Sequence, residues 1–251
     1  MSGHSKWHSI RHKKGAVDAK RGKLFSKLTR AIIVAAREGG PDPENNLALQ
    51  NAIEKARESS MPKDTIERAI ARGAGTDADA EAYEQVTYEG YGPNGVAVLV
   101  EALTDNRNRT AADVRHVFAK NDGNLGTSGA VGWLFERKGV LIVPADSVDE
   151  DELILAAADA GAEDVVREES SFQVTCAAED LAAVRQALEQ SGVQIESAEI
   201  TMLPKTTVRI EDEAAARKLI RLMEALEEYD DVQDVYANFD IPEGVLEAVA
   251  V

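Results

Sequence analysis

Between residues 139 and 204, short alternating apolar runs and longer runs of helical period follow one another in an order that few folds accommodate. "GVLIVP" reads as a strand and "VDEDELILAAADAGA" as a helix. "DVVREE" and "SFQVTCA" read as strands, "EDLAAVRQALEQSG" as a helix and "VQIESAEITMLP" as a closing strand. The order β-α-β-β-α-β is that of a ferredoxin-like domain. Phe172, Val174 and Cys176 alternate on one strand face, which makes the single cysteine a core position. One cysteine excludes an internal disulfide and makes a reducing cytosol the default compartment.

The flanks complete the organisation. From residue 82, "YEQVTYEGYGP" and "GVAVLVEALT" form strands joined at a "GPNG" turn. "TAADVRHVFAKN" follows as a helix entered through Thr110, then the glycine-rich loop "DGNLGTSGAVG" and a strand "WLFERKG". The C-terminal stretch from residue 206 reads strand, helix, strand. It is too small for a core of its own and has the elements that the unit begun at residue 82 lacks. The ferredoxin-like segment is therefore expected as an insertion in a discontinuous domain. Upstream, residues 16–38 read as a helix with Leu24, Leu28, Ala31, Ile32 and Ala35 on one apolar face. "GGPDPE" ends it, with Asp42 as the expected cap of a second helix and Pro43 at its first position. A third helix, "MPKDTIERAIARG", carries Asp64 and Glu67 at capping-box spacing and ends at Gly73. The expected fold class is thus α+β and multidomain. A three-helix domain with its basic arm spans 1–78, a discontinuous α+β domain spans 79–136 and 205–251, and the inserted ferredoxin-like domain spans 137–204.

Charge is distributed unevenly over this plan. The chain of 251 residues has a formal net charge of −17, yet its first 30 residues hold nine Lys or Arg against Asp18. Residues 81–251 hold 13 basic and 35 acidic groups. A basic end on an acidic body points to a polyanionic partner, although such an arm also has the option of docking on the acidic domains of its own chain. No apolar run approaches the roughly 20 residues of a membrane span, and no apolar stretch precedes the first charges as in a secretory signal. A cytoplasmic protein without a membrane partner is the expectation.

The candidate contacts follow from this asymmetry. In the polar arm, Lys6, Arg11, Lys13 and Lys14 supply charge, and His4, His8 and His12 supply further hydrogen bonds. The three histidines recur every fourth residue, a possible metal edge, but no acid or cysteine lies among them and the surrounding cations oppose a metal. No metal or cofactor is expected. Trp7 is placed either to stack on an unpaired base or to staple the arm to the helical domain. On the first helix, Lys20, Lys23, Lys27, Arg30 and Arg37 recur on one third of the circumference, and Arg21 adds to the charge. That face suits phosphate. Arg107 and Arg109 precede the helix entered at Thr110, where free amides and the positive helix end favour an anion. The neighbouring glycine loop offers further amides, or merely lets two layers approach. It has neither a Walker nor a dinucleotide pattern, so no small-molecule substrate is expected. His116 has no Ser or Cys nucleophile in its motif, and no catalytic constellation emerges.

"GHSKWHSIRHKKGAVDAKRGKLFSKLTR", "MPKDTIERAI", "YEGYGPNGVAVLVEALTDNRNRTAADVRHVF" and "GNLGTSGAVGWLFERKG" resemble hallmark segments of the YebC/PmpR family. His8-Ser9 departs from the Ala-Asn or similar pair of many members, which weakens a metal role for His8. The resemblance implies a cytoplasmic, non-enzymatic protein of three domains, with a helical domain first and a ferredoxin-like domain inserted in the middle one. It implies either a DNA-binding transcriptional regulator or, as for mitochondrial relatives and ribosome-linked bacterial ones, a translation factor. The partner is then DNA or ribosomal RNA, with the ribosome as a further candidate. The residues show no helix-turn-helix with a base-reading face, and a basic arm bearing Trp suits irregular RNA at least as well.

Overall fold

The computed structural model describes residues 18–75, 83–168 and 170–249 and divides into two compact units. One comprises residues 133–209 with 238–240; the other holds the described residues before 133, together with 210–237 and those from 241 on. The fold is mixed α+β, with helices first and sheets after them.

In the larger unit, α1 (Asp18–Gly39), α2 (Leu47–Glu58) and α3 (Lys63–Gly73) surround a core of Leu28, Ile32, Ile33, Leu49, Ile53, Met61 and Ile66. Leu24, Leu28, Ile32 and Ala35 face inward as their spacing predicts, and all of Ile32–Ala36 is buried, so this turn of α1 is covered on every side. The entry to α2 differs from expectation. Asp42 closes a local turn instead, accepting from Glu44 N at 3.1 Å and Asn45 Nδ2 at 2.6 Å. Asn46 caps α2: its Oδ1 accepts from Leu49 N at 3.1 Å, while its Nδ2 donates to Ala35 O at 2.7 Å and Gly40 O at 2.8 Å. This side chain satisfies the end of α1 and the start of α2 together, which Asp, with no donor, is unable to do. At α3 no side chain caps the start; Pro62 precedes it and Asp64 lies in its first turn, where its charge complements the helix end. Gly73, the last residue of α3, lets that helix lie close to α1, since a Cβ there would lie 2.5 Å from Ile33 O.

The same unit holds a four-stranded sheet in the order β3-β1-β2-β9. Its strands are β1 (Glu84–Tyr91), β2 (Ala97–Thr104), β3 (Asn124–Leu125) and β9 (Val232–Ala237). β1 and β2 form a hairpin with Glu84 opposite Thr104 and Tyr91 opposite Ala97. Its connection places Asn94 at φ 59° and Gly95 at φ 75°, a geometry the "PNG" sequence suits. β9, from the C-terminal part of the chain, pairs antiparallel with the other edge of β2. α4 (Arg107–Lys120) and α7 (Glu213–Glu227) complete the unit with α8 (Glu243–Val249). α4 begins three residues before Thr110, at a cap formed by Asn106.

The smaller unit is built on β4 (Phe135–Pro144), α5 (Glu150–Asp159), β5 (Asp164–Arg167), β6 (Ser171–Ala177), α6 (Leu181–Gln190) and β7 (Ser197–Pro204). Its sheet has the order β5-β6-β4-β7 with every neighbour antiparallel. β4 is one strand where the sequence suggests two. It runs through Gly139, where a Cβ would lie 2.7 Å from Cys176 Sγ. Cys176 is fully buried with Leu141, Leu153, Phe172, Val174 and Leu188, and burial pushes its thiol up. A short parallel pair, β8 (Val208–Arg209) with β10 (Phe239–Asp240), belongs to the same unit.

Candidate nucleic-acid interface

The arm residues His4, Lys6, Trp7, His8, Arg11, His12, Lys13 and Lys14 lie outside the described residues, as do the side chains of Lys20 and Arg21. What the structure describes is the continuation of the basic face along α1. Lys23, Lys27 and Arg30 succeed one another at intervals of four and three residues and so project in a column. That column meets the C-terminal end of α7. Lys23 Nζ donates to Glu228 O at 3.3 Å, Lys27 Nζ to Glu227 O at 2.5 Å and Arg30 Nη1 to Asp230 O at 2.5 Å. The last carbonyls of a helix lack partners within it and carry partial negative charge, so Lys23 and Lys27 answer a need built into α7, while Arg30 takes a carbonyl of the turn that follows it. Arg30 also pairs with Asp231 Oδ1 at 3.2 Å and lies 5.6 Å from the Tyr83 ring centroid.

Asp231 ties this contact to the start of α4. Its Oδ2 accepts from Arg109 Nη2 at 2.9 Å and from the Thr110 hydroxyl at 2.7 Å, with Thr104 Oγ1 3.4 Å away. Arg109 reaches Asp105 Oδ1 at 2.6 Å with the same nitrogen. Burial pushes the Asp231 carboxyl up, but the bonds from Arg109 and Thr110 and the charge of Arg30 outweigh it and hold the group below its usual range. Arg109 is held charged in return, first by its bonds to Asp231 and Asp105. Tyr229 donates to Asp113, and burial together with that carboxylate pushes its hydroxyl up to about 12. Lys23, Arg30, Arg109, Glu228, Tyr229, Asp230 and Asp231 line an open cleft of about 400 Å³. Arg107 is placed apart, with an exposed pairing to Glu84 at 3.7 Å. Arg37 is half-buried in the last turn of α1.

The two anion-binding features expected beside Arg107 are occupied by the chain itself. At the helix start, Asn106 Oδ1 accepts from Arg109 N at 3.1 Å. In the glycine loop the amides of Gly129, Val131 and Gly132 turn inward on the Glu89 carboxylate, at 2.7, 2.8 and 2.6 Å. Burial would raise the pKa of Glu89, yet these three bonds hold it below the usual carboxylate range. Glu89 and Asp231 are thus the organising residues that sequence reasoning misses. Each is one acid among 45. Only the pairing of an acid in a strand with a downstream run of glycine amides signals the first. His116 is exposed on α4. Among the described residues no group of three or more His, Cys, Asp or Glu is arranged to hold a metal ion, and no helix is long and apolar enough to cross a membrane.

Two family models match the chain: the TACO1/YebC protein N-terminal domain over residues 5–76 and the TACO1/YebC second and third domain over residues 83–239. A probable transcriptional regulatory protein of Rubrobacter xylanophilus is 59% identical over 250 residues, which is 100% of each chain. Another of that description, from Desulfotalea psychrophila, is 55% identical over 250 residues, again 100% of each. The crystal structure of a conserved hypothetical protein from Aquifex aeolicus matches with a TM-score of 0.79 at 56% identity, covering 91% of this chain and 93% of that one.

Proposed function

Since this chain belongs to the TACO1/YebC family, we propose that it is a non-enzymatic, cytoplasmic nucleic-acid-binding regulator of gene expression. Relatives bearing the description of probable transcriptional regulatory proteins support the regulatory part of this reading. The observation that carries the nucleic-acid part is the run of nine cations in the first 30 residues, the last three of which, Lys23, Lys27 and Arg30, form one column on α1, on a chain whose remainder is strongly acidic. Such a molecule meets a polyanion with its basic end foremost. The layout that goes with this reading has three domains, 1–78, 79–136 with 205–251, and 137–204. The arm and α1 make the first contact, Arg107 and Arg109 the second. No cofactor or small-molecule substrate is involved.

A second reading, a ribosome-associated translation factor acting through ribosomal RNA, is favoured by one feature of the helical segment. The short helix α3 mixes its exposed charges, with Lys63 paired to Glu67 at 3.5 Å, and presents no cationic face of the kind that reads base edges in a groove. Crosslinking in cells followed by sequencing of the attached nucleic acid separates the readings: promoter DNA supports the first, ribosomal RNA the second, and recovery of neither overturns both. In vitro, replacing Lys20, Lys23, Lys27 and Arg30 with Gln should weaken binding to all sequences alike. It should flatten the log–log salt dependence by about 0.9 per lost contact on duplex DNA or about 0.7 on single strands. An unchanged slope removes α1 from the interface.

A further inference from the structure

The cations that the nucleic-acid reading requires on α1 are already engaged. Lys23, Lys27 and Arg30 each direct a donor at the segment Glu227–Asp231. In five residues this segment carries four carboxylates, around carbonyl oxygens at the negative end of α7. Arg109 is shared between two more fixed acceptors, Asp105 and Asp231. A phosphate chain approaching the column in this arrangement meets Glu228 and Asp230, both exposed, within the roughly 8 Å over which charges act at physiological ionic strength. The column is attractive to phosphate only once these oxygens have left it.

We infer that the segment Glu227–Asp231 is an internal stand-in for a polyanion: it occupies the basic column of α1, and nucleic acid binds there by displacing it. The inference rests on the nucleic-acid reading above and adds its regulation. The receiving side is built to outlast the exchange. Asp231 is held by Thr104, Thr110 and Arg109 as well as by Arg30, so three of its four partners stay in place when α1 lets go. On the α1 side, the contacts are the tips of long side chains on an exposed or half-buried face, bonded mainly to neutral carbonyls. Such tips swing to a phosphate without unpacking the helix core. The competition makes the interface selective, because an isolated phosphate gains less than it displaces, whereas a strand presenting several phosphates at once replaces every contact and releases its own counterions.

The test is the affinity of the full chain for a single-stranded RNA of mixed sequence, measured by fluorescence anisotropy over a series of salt concentrations. Glu227→Gln, Glu228→Gln and Asp230→Asn together should tighten binding about five- to tenfold. The carbonyl acceptors remain in this variant, so the gain comes from the charge removed beside the column, and the salt slope should steepen by about 0.7 for each cation that then turns to phosphate. A control triple of exposed acids on α5, Asp151→Asn with Glu152→Gln and Asp159→Asn, should change affinity by less than about twofold. Equal gains from both triples, or no gain from the first, overturn the inference while leaving the nucleic-acid reading in place. Lys23→Gln with Lys27→Gln and Arg30→Gln should abolish the gain; if the acid triple still tightens binding on that background, the stand-in idea is wrong. Absence of saturable binding by every variant, wild type included, to this RNA and to a duplex DNA of mixed sequence alike overturns the nucleic-acid reading itself.

Discussion

Replacing Glu89 with Gln perturbs one atom of the carboxylate that the glycine loop encloses, and its cost follows from the geometry. Oε2 accepts from Val131 N and Gly132 N, and Oε1 from Gly129 N. The single oxygen of Gln keeps two of these bonds if it takes the Oε2 position, and its amide then turns two donors on Gly129 N. One buried donor without an acceptor costs about 1–3 kcal/mol, and the two surviving bonds lose their charge assistance, roughly a further 1 kcal/mol. A loss of about 2–4 kcal/mol is expected, concentrated in residues 124–132. The pH dependence has a definite sign. A carboxyl held below its usual range stabilises the fold above the unfolded value, near 4.3, and this contribution is lost as pH falls through the folded value. The deficit of the variant is therefore complete at pH 7 and shrinks in acid below about pH 4. Chemical denaturation followed by circular dichroism gives the global number, and hydrogen exchange at Gly129, Val131 and Gly132 gives the local one. A deficit below about 0.5 kcal/mol at pH 7, or one that stays constant down to pH 3, would refute the claim that the loop is organised by this charge.

Two further outcomes test the helical segment. Asn46→Ala removes a cap that joins two helices, and should cost about 2–3 kcal/mol by denaturation, more than the roughly 1 kcal/mol of an ordinary cap; Asn46→Asp should recover only part, since Ala35 O and Gly40 O stay without their donor. Gly73→Ala drives a methyl into Ile33 O and should destabilise the three-helix core by about 1–3 kcal/mol, whereas Ala at Gly22, where nothing lies within 4 Å, should stabilise α1 slightly; equal effects at the two glycines would show that α1 and α3 do not pack this closely.

The periodic parts of this structure are legible in its sequence. The apolar column Leu24–Leu28–Ile32–Ala35 and the alternation Phe172–Val174–Cys176 fix which faces turn inward, because burial of a face is a local demand repeated at every turn or pleat. Helix entries are less legible: Asp42 and Asn46 are both good caps, and the choice falls on Asn46 because a second helix end needs its donor. The candidate site is the least legible. The column Lys23–Lys27–Arg30 is visible as a pattern, but its partner, the end of α7, lies about 200 residues away in the chain and acts through backbone carbonyls that every residue possesses. "EEYDD" resembles any solvated acidic turn until Arg30 and Arg109 are seen to converge on it.

The position of β9 sets a timetable for the newborn chain. Ala102 pairs with Val232, so the second edge of β2 waits for about 130 more residues, roughly 6–26 s at ordinary elongation rates. Throughout that interval Val98 and Val100 sit in a strand whose amide ladder is half-made, the condition under which nascent chains pair with the wrong neighbour. The sheet of the smaller unit has no such delay, since its widest pairing joins Phe135 to Pro204. It closes inside the gap, while the sheet that brackets it is still open. Synthesis thus imposes an inside-out order on the molecule, and codons that slow the ribosome between residues 205 and 232 lengthen the one stage at which a hydrophobic strand edge stands uncovered.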